Sequence, residues 1–154
     1  MNSLLNKLIE ECRPYTNQGH VATYIPELAN AKADAIGICI VQDGKVSGFA
    51  GEYTTLFTMQ SVVKPIILLQ ALMDSGIEKV RALVGVEATG KPFDAFNYSD
   101  QALTGAHINP MINTGAIALC TLIHGDTYAG KFARLLDMTR KLAGNPTLDI
   151  DPAV

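Results

Sequence analysis

Apolar positions in the first third of the chain recur at helical spacing and then in two short runs. A helix with Ser3 as a candidate N-cap is predicted from five apolar residues that share one face: Leu4, Leu5, Leu8, Ile9 and Cys12. Residues 35–41 are apolar and β-branched and predict a buried strand, and residues 45–50 alternate as a second strand. Because Asp43-Gly44 is favoured in tight hairpin turns, the sequence predicts an antiparallel hairpin that needs further strands or a covering helix.

The remaining two thirds of the chain is patterned mainly as helix. The apolar residues 66–73 predict a long helix that ends near Gly76, and residues 77–84 predict a short helix after it. Small residues after Asn113 predict a closely packed helix, and residues 127–142 predict a last one. Helix should therefore outweigh strand, and the expected fold class is α+β, mostly helical with an N-terminal antiparallel hairpin.

The composition is that of a soluble globular protein, with 48% hydrophobic and 18% charged residues in a chain of 154. This length can bury a sizeable core, and no repeat or linker is evident, so a single domain over residues 1–154 is expected. The formal net charge is −3 without a basic cluster, which argues against nucleic acid or an anionic membrane as a partner. No apolar run reaches the length of a membrane span, and residues 1–7 lack the pattern of a signal peptide.

The cysteines are odd in number, widely spaced and set among apolar neighbours: Cys12, Cys39 and Cys120. This usage predicts buried, reduced thiols in a cytoplasmic protein. A zinc site is not expected, because the paired ligands that such sites use are absent.

Ser61 and Lys64 are the first candidates for chemistry, because three positions apart on a helix they share one face. A serine hydroxyl needs a neighbouring base, and a lysine can serve if burial lowers its pKa. Pro65 would clash with the carbonyl of Ser61, so Ser61 is expected in or beside the first helical turn, where free N–H groups can stabilise an oxyanion. The alternative is an N-cap serine followed by a surface lysine.

Three further polar residues are weaker candidates. Asn113 stands at the start of the small-residue helix, where an amide either caps the helix or binds a polar substrate. His107 could be a base, but it has no acidic partner nearby in sequence. Tyr24 could present a functional phenol, with packing beside Pro26 as the alternative.

Four stretches taken together resemble the serine-dependent glutaminases, relatives of the serine β-lactamases and penicillin-binding proteins. They are residues 19–29 (G-x-V-A-x-Y-I-P-x-L-A), 57–65 (F-x-x-Q-S-x-x-K), 85–93 (G-x-E-x-S/T-G-x-x-F) and 109–117 (N-P-x-I-N-x-G-A-I). Each motif is weak alone, but their order and spacing are similar to glutaminases rather than to β-lactamases. Thr114, where the family usually has alanine, is a small departure.

The resemblance implies a β-lactamase/transpeptidase-like fold and the hydrolysis of L-glutamine to L-glutamate and ammonia. Ser61 would form an acyl-enzyme with Lys64 as its base, and the Ser61 N–H would be one of two oxyanion donors. Tyr24, Gln60 and Asn113 match positions of the substrate pocket, with Asn113 at the amino-acid end of glutamine. No metal or organic cofactor is implied.

The resemblance also implies that much of the family's structure follows Val154. Ordinary bacterial members are much longer, and their substrate-binding Glu and Asn, later tyrosines and second oxyanion donor have no counterpart in this sequence. Most strands of the family sheet come from that later part as well. The hairpin is therefore expected to belong to a truncated sheet.

Three hypotheses remain open at the level of sequence. The first is a glutaminase whose remainder comes from another chain or is missing from the sequence. The second is a truncated, non-catalytic domain that forms homo-oligomers through its exposed sheet edge, since open edges invite pairing. The third is a penicillin-recognising acyltransferase, against which the motif at residues 109–117 argues.

Overall fold

The computed structural model of the chain describes residues 1–90, 92–94 and 108–154. Within these residues the chain forms two compact units. The first unit contains Met1–Thr58 together with Asp151–Val154, and the second unit contains Met59–Ile150. The single domain expected over residues 1–154 stays a prediction.

The first unit is a helix followed by a two-stranded antiparallel sheet. Its elements are helix α1 (Asn2–Cys12), two 3-10 helices (Arg13–Gln18 and Pro26–Asn30), and strands β1 (Gly37–Gln42) and β2 (Lys45–Gly51). Asp43 and Gly44 reverse the chain between the strands with φ of 51° and 72°, the positive values that a tight hairpin turn requires. The predicted hairpin is thus confirmed.

Helix α1 covers one face of the hairpin. Leu5 and Ile9 of α1 are buried against Ala50 of β2, and three partly buried residues complete this cluster: Ile36, Ile38 and Ile40. The helix begins after Met1 and no side chain caps it, so the predicted Ser3 cap is wrong. The helix is held to the sheet by apolar burial, with one added hydrogen bond from the Phe49 N–H to Asn2 Oδ1 at 3.1 Å.

The opposite side of the hairpin, called the outer face below, is exposed and comprises Cys39, Val41, Val46 and Phe49. Cys39 pairs with Phe49 and Val41 pairs with Val46 in the sheet register. The buried strand predicted over residues 35–41 is therefore wrong, because successive side chains point to opposite faces and only one face meets α1. Among the described residues, each strand pairs only with the other.

Two of the three thiols contradict the prediction that they are buried. Cys12, at the end of α1, and Cys39 are exposed, while Cys120 is half-buried. Burial raises the pKa of the Cys120 thiol, whose sulfur also donates to the Ala116 carbonyl at 3.4 Å. Apolar neighbours in sequence did not predict burial here, because a residue on a one-sided element can face solvent.

Charged side chains hold the end of β2 to the segments before the hairpin. Glu52 accepts hydrogen bonds from Arg13 Nη2 at 3.1 Å and from the Ile36 N–H at 3.2 Å, and Lys32 Nζ lies 3.6 Å away. The Arg13 hydrogen bond, followed by that of Ile36, lowers the pKa of Glu52 to about 2. Glu52 is therefore the acceptor that joins three separate stretches of the first unit.

The second unit is helical throughout its described secondary structure. Its elements are a 3-10 helix (Gln60–Val62), helix α2 (Val63–Leu83), helix α3 (Asn113–Leu119), a 3-10 helix (Cys120–Leu122) and helix α4 (Tyr128–Ala143). Helix α2 is interrupted at Gly76, with φ 80° and ψ 165°, which agrees with the two helices predicted on either side of that residue. Thr127 caps α4 by accepting from the Gly130 N–H at 3.1 Å, and Gly144 ends it in the left-handed conformation.

Helix α2 supplies much of the core of the second unit. Seven buried apolar residues form this core: Ile67, Ala71, Val80, Val84, Ile108, Leu119 and Ile123. Leu135 of α4 packs against them. No helix among the described residues is long and apolar enough to cross a membrane.

A buried carboxylate on α2 joins that helix to α4. Asp74 accepts from Arg134 Nη2 at 2.5 Å, from Gln70 Nε2 at 2.9 Å and from the His124 N–H at 2.8 Å. Burial by itself raises the pKa of Asp74, but the hydrogen bonds from His124, Arg134 and Gln70 outweigh burial and lower it. The side chain is only 6% exposed, so this group is charged in the interior with its acceptor capacity used.

Candidate active site

The segment that carries Ser61 changes from a tight turn into an α-helix within a few residues. The 3-10 helix Gln60–Val62 leads directly into α2, in which Pro65 is the third residue. Proline is tolerated in a first turn, where its missing N–H has no intrahelical partner. The position predicted for Ser61, beside the first turn of the long helix, is therefore confirmed.

The residue before Ser61 has an unusual backbone conformation. Gln60 has φ of 48°, in the left-handed region that non-glycine residues rarely adopt. Conformations of this kind cost free energy and tend to occur at functional sites. Gln60 and Ser61 are both exposed, so this turn presents the serine to solvent.

Lys64 is buried although it is charged in its ordinary state. Only 7% of the residue is exposed, which excludes the surface lysine of the alternative interpretation. Its Nζ donates to Asn113 Oδ1 at 2.7 Å, a bond that joins α2 to α3.

Asn113 is the first residue of α3, and it does not cap that helix. Ile112 occupies the capping position, and no side chain makes a capping hydrogen bond there. The amide oxygen is instead directed to Lys64. Of the two roles that the sequence left open for this residue, a cap is thus excluded.

The loop before α3 fixes the start of that helix. Asn109 Nδ2 donates to the Glu87 carbonyl at 3.0 Å, and its Oδ1 accepts from the Met111 N–H at 2.9 Å. A β-carbon on Gly115 would lie 1.9 Å from the Asn109 carbonyl oxygen, so only glycine allows this close approach. The polar and glycine positions of the motif at 109–117 therefore place Asn113 opposite Lys64.

Phe93 contacts both members of the Lys64–Asn113 pair. Its carbonyl oxygen accepts from the Asn113 N–H at 2.9 Å, and its ring centroid lies 5.5 Å from Lys64 Nζ. Sequence reasoning included Phe93 in a motif but assigned no role to it. The available signal was a phenylalanine at a fixed position of the motif in a turn-rich loop. Its contact with Lys64 of α2 could not be predicted, because a contact between a loop and a helix leaves no periodic pattern in the sequence.

Tyr24 and His107 are the remaining candidates from the sequence. Tyr24 belongs to the first unit, just before the 3-10 helix Pro26–Asn30, and it is 72% exposed. His107 lies outside the described residues. Within the described part of the chain, no three His, Cys, Asp or Glu side chains are grouped so that they could hold a metal ion.

A mostly helical fold with an antiparallel hairpin, and a serine three positions before a buried lysine at a helix start, is typical of the β-lactamase-like class. The glutaminase family model matches residues 19–154, and the chain belongs to that family. A glutaminase of Clostridium tetani is 43% identical over 154 residues, which cover 100% of this chain and 50% of the relative. The chain thus spans about half the length of the curated relatives it matches.

Solved glutaminase structures agree with the fold. The probable glutaminase ybaS aligns with a TM-score of 0.82 at 29% identity, over 97% of this chain and 49% of that one. The Bacillus subtilis glutaminase YbgJ, in covalent complex with 5-oxo-L-norleucine, aligns with a TM-score of 0.74 at 29% identity, over 92% and 42%. The predicted β-lactamase-like α+β fold is confirmed, and the sheet in the described residues is the N-terminal hairpin.

Proposed function

We propose that this chain carries the nucleophile and part of the substrate pocket of a glutaminase, which hydrolyses L-glutamine to L-glutamate and ammonia. The observation that carries the proposal is the buried amine of Lys64, three residues after Ser61 and 2.7 Å from Asn113 Oδ1. The family match over residues 19–154 supports glutamine as the substrate.

Lys64 is the proposed base. In its neutral form the amine would accept the proton of Ser61 Oγ while that oxygen attacks the carboxamide carbon of glutamine. A lysine side chain is long and flexible, and the hydrogen bond to Asn113 restricts where its nitrogen lies. With 7% of the residue exposed, few water molecules compete for the proton.

The proposed reaction has two steps. In the first, the bond from Ser61 Oγ to the carbonyl carbon forms, the proton passes through Lys64 to the leaving nitrogen, and ammonia departs from a glutamyl ester. In the second, water attacks the ester, and its proton returns to Ser61 Oγ through Lys64 as L-glutamate leaves. The Ser61 N–H, at the N-terminal side of α2, is the proposed donor to the oxyanion of each step.

Asn113, Gln60 and Tyr24 are the proposed substrate contacts. A carboxamide accepts through its oxygen and donates through its nitrogen at the same time. Because Asn113 Oδ1 accepts from Lys64, its Nδ2 donors are assigned to the amino-acid end of glutamine. Gln60 is favoured by its exposure and its strained φ of 48° beside the nucleophile.

The activity is proposed for a cytoplasmic homo-oligomer of the chain. The chain spans about half the length of its curated relatives, and a second copy is proposed to contribute groups to the pocket. The outer face is an apolar surface with which a second copy could associate. Neither a cofactor, a nucleic acid nor a membrane has a part in the proposal.

The test is ammonia release from L-glutamine by the purified chain, with Ser61→Ala beside it. Ser47→Ala is the matched control, because Ser47 lies on the hairpin in the first unit and is exposed. Treatment with 6-diazo-5-oxo-L-norleucine adds a second measurement, since Oγ attack with loss of N₂ leaves one 5-oxo-norleucine adduct that peptide mass spectrometry can locate.

Release that is lost in Ser61→Ala and kept in Ser47→Ala, with the adduct on Ser61, supports the proposal. Release that survives in Ser61→Ala overturns the nucleophile. No release from the wild-type chain, with a cooperative melting transition, overturns the activity.

That last outcome favours a second candidate function, a non-catalytic glutaminase-like domain that self-associates through its exposed sheet edge. The observation behind it is the two-stranded sheet, in which the described residues add no further strand. Sedimentation equilibrium of the wild-type chain and of Phe49→Glu tests it. Phe49 lies on β2, an edge strand of the described sheet, and is 41% exposed, so a charge there should disfavour pairing of that strand with a second copy and shift a dimer towards monomer. A monomeric wild-type chain overturns this candidate.

A further inference from the structure

Among the described residues, Lys64 has one polar contact and one aromatic contact. Phe93 provides the aromatic contact and forms a hydrogen bond with the residue that provides the polar one. The polar contact is Asn113 Oδ1, and the aromatic contact is the ring of Phe93, 5.5 Å from Nζ to centroid. The Phe93 carbonyl also accepts from the Asn113 N–H at 2.9 Å. One loop residue therefore faces the amine and anchors the helix start that supplies its acceptor.

We propose that Phe93 is a positioning residue of this site, which holds the Lys64 ammonium between its ring and Asn113 Oδ1. The electron-rich face of an aromatic ring attracts a cation at this distance. The attraction is greatest for the ammonium form, which arises whenever Lys64 has taken a proton. The catalytic consequence rests on the proposed function, but the contact itself does not.

In catalysis, the ring would act while the charge develops. When Ser61 Oγ transfers its proton, Lys64 becomes an ammonium inside a buried site, where a charge without partners is costly. The Phe93 ring and Asn113 Oδ1 both contact the amine and would stabilise this ammonium charge. The ring thereby favours proton transfer through Lys64 without touching the substrate.

The described segments that adjoin the pair carry few other ionisable groups. Helix α3 has no ionisable side chain, and the loop with Phe93 contributes Glu87 and Asp94 among its described residues. The recorded ion pairs of the described second unit involve Asp74, Asp137 and Asp149 and do not include Lys64. The ring and the amide are thus the groups whose loss should change the proton affinity of this amine.

The experiment follows Lys64 by NMR in the full-length chain with ¹³Cε-labelled lysine. Its titration midpoint is compared in wild type, Phe93→Leu and Phe93→Tyr. Leucine keeps apolar bulk over the amine but removes the π face, and tyrosine keeps that face. Phe132→Leu is the matched control, since it makes the same change in the same unit, where Phe132 stacks on Tyr128.

The expected result is that Phe93→Leu lowers the proton affinity of Lys64 by about two- to five-fold, the range for an exposed cation–π contact, because Phe93 is 61% exposed although Lys64 is buried. Phe93→Tyr and Phe132→Leu should keep the wild-type midpoint. An unchanged midpoint in Phe93→Leu, or an equal shift in Phe132→Leu, overturns the proposal.

This measurement needs no turnover, so its failure is distinct from a failure of the proposed activity. In a chain that releases ammonia, Phe93→Leu should lower kcat by a similar factor with KM unchanged, because the ring acts through Lys64 alone. A change confined to KM would assign Phe93 to substrate binding and overturn the positioning role.

Discussion

Lys64 on α2 donates to Asn113 Oδ1 on α3 at 2.7 Å, across 49 positions of sequence. The lysine is buried and the asparagine begins its helix, so each side chain is held by the element that carries it. The contact fixes the position of the Lys64 amine, which the three-residue spacing between Ser61 and Lys64 does not do by itself. Among the described residues, the Nδ2 donors of the same amide group make no further hydrogen bond.

Replacement of Asn113 by alanine should weaken catalysis more than folding. A hydrogen bond to a charged group contributes about 1.5–3 kcal/mol, so ammonia release from L-glutamine should fall by roughly one to two orders of magnitude. The thermal midpoint should also fall, because the buried amine of Lys64 loses its hydrogen-bond acceptor, but the helix cap and the apolar core are left intact. The measurement is kcat/KM with a melting curve for each variant.

Asn30→Ala is the control for this prediction. Asn30 is an exposed asparagine of the first unit whose Nδ2 donates to Glu27, so the same chemical change occurs there without a contact to Lys64. Equal losses of activity in both variants would contradict the role given to Asn113. So would wild-type activity in Asn113→Ala.

Asp74 should be the polar side chain whose loss costs the second unit most. Asp74→Ala removes the acceptor shared by Gln70, Arg134 and the His124 N–H, and the donors near this buried position lose their partner. We expect a loss of about 2–3 kcal/mol in the free energy of unfolding, as is usual when a buried polar group is left unsatisfied. Urea denaturation, followed by the amide exchange of α2 and α4, measures it.

Asp137→Ala provides the comparison. Asp137 pairs with Lys141 one turn along α4, and both side chains are more than half exposed. Such pairs contribute about 0.3–0.5 kcal/mol. The prediction for Asp74 is refuted by equal, small losses in the two variants.

Stability of the first unit should fall in acid through Glu52. Its pKa in the folded state is lowered to about 2 from 4.5, so the unfolded chain binds the proton more tightly. The contribution of Glu52 is therefore fully present above pH 4.5 and is lost as the pH falls towards about 2. Amide exchange of β1 and β2, measured through this window, should show the protection decline.

Glu52→Gln should flatten that decline, because glutamine has no proton to gain over the same range. Asp74 also has a lowered pKa, so the second unit should lose stability in acid in the same direction. Exchange resolved by residue separates the two groups. An undiminished acid dependence of the hairpin amides in Glu52→Gln would exclude Glu52 as its source.

The sequence predicted those parts of the site that local chemistry determines. Pro65 restricted the helix start and thereby placed Ser61 beside its first turn, and the 109–117 motif located Asn113. Apolar spacing predicted α1, α2 and α4, and Asp43-Gly44 predicted the turn between β1 and β2. In each case the cause lies within a few residues of the effect.

Features that depend on the tertiary fold were beyond the sequence. The ring of Phe93 faces Lys64 because two segments meet in space, and no local period encodes that contact. Cys39 has the apolar neighbours of a buried residue, but α1 covers only the other face of the hairpin. Asn113 bonds to Lys64 and not to its own helix for the same kind of reason.

Gly76→Ala should destabilise the second unit by backbone strain alone. Gly76 has φ 80° and ψ 165°, a region that is essentially restricted to glycine. A β-carbon there would meet no atom within 4 Å, so steric contact is not the cause of the loss. We expect a decrease of about 1–3 kcal/mol in the free energy of unfolding by urea.

Gly19→Ala separates this strain from a general effect of replacing glycine. A β-carbon on Gly19 would also meet nothing within 4 Å, but its φ of −119° is accessible to any residue. Alanine there should be neutral or stabilising by about 0.4–1 kcal/mol, because it reduces the entropy of the unfolded chain. If Gly76→Ala were as stable as Gly19→Ala, α2 could pass residue 76 in an ordinary helical conformation, and the interruption would not depend on glycine.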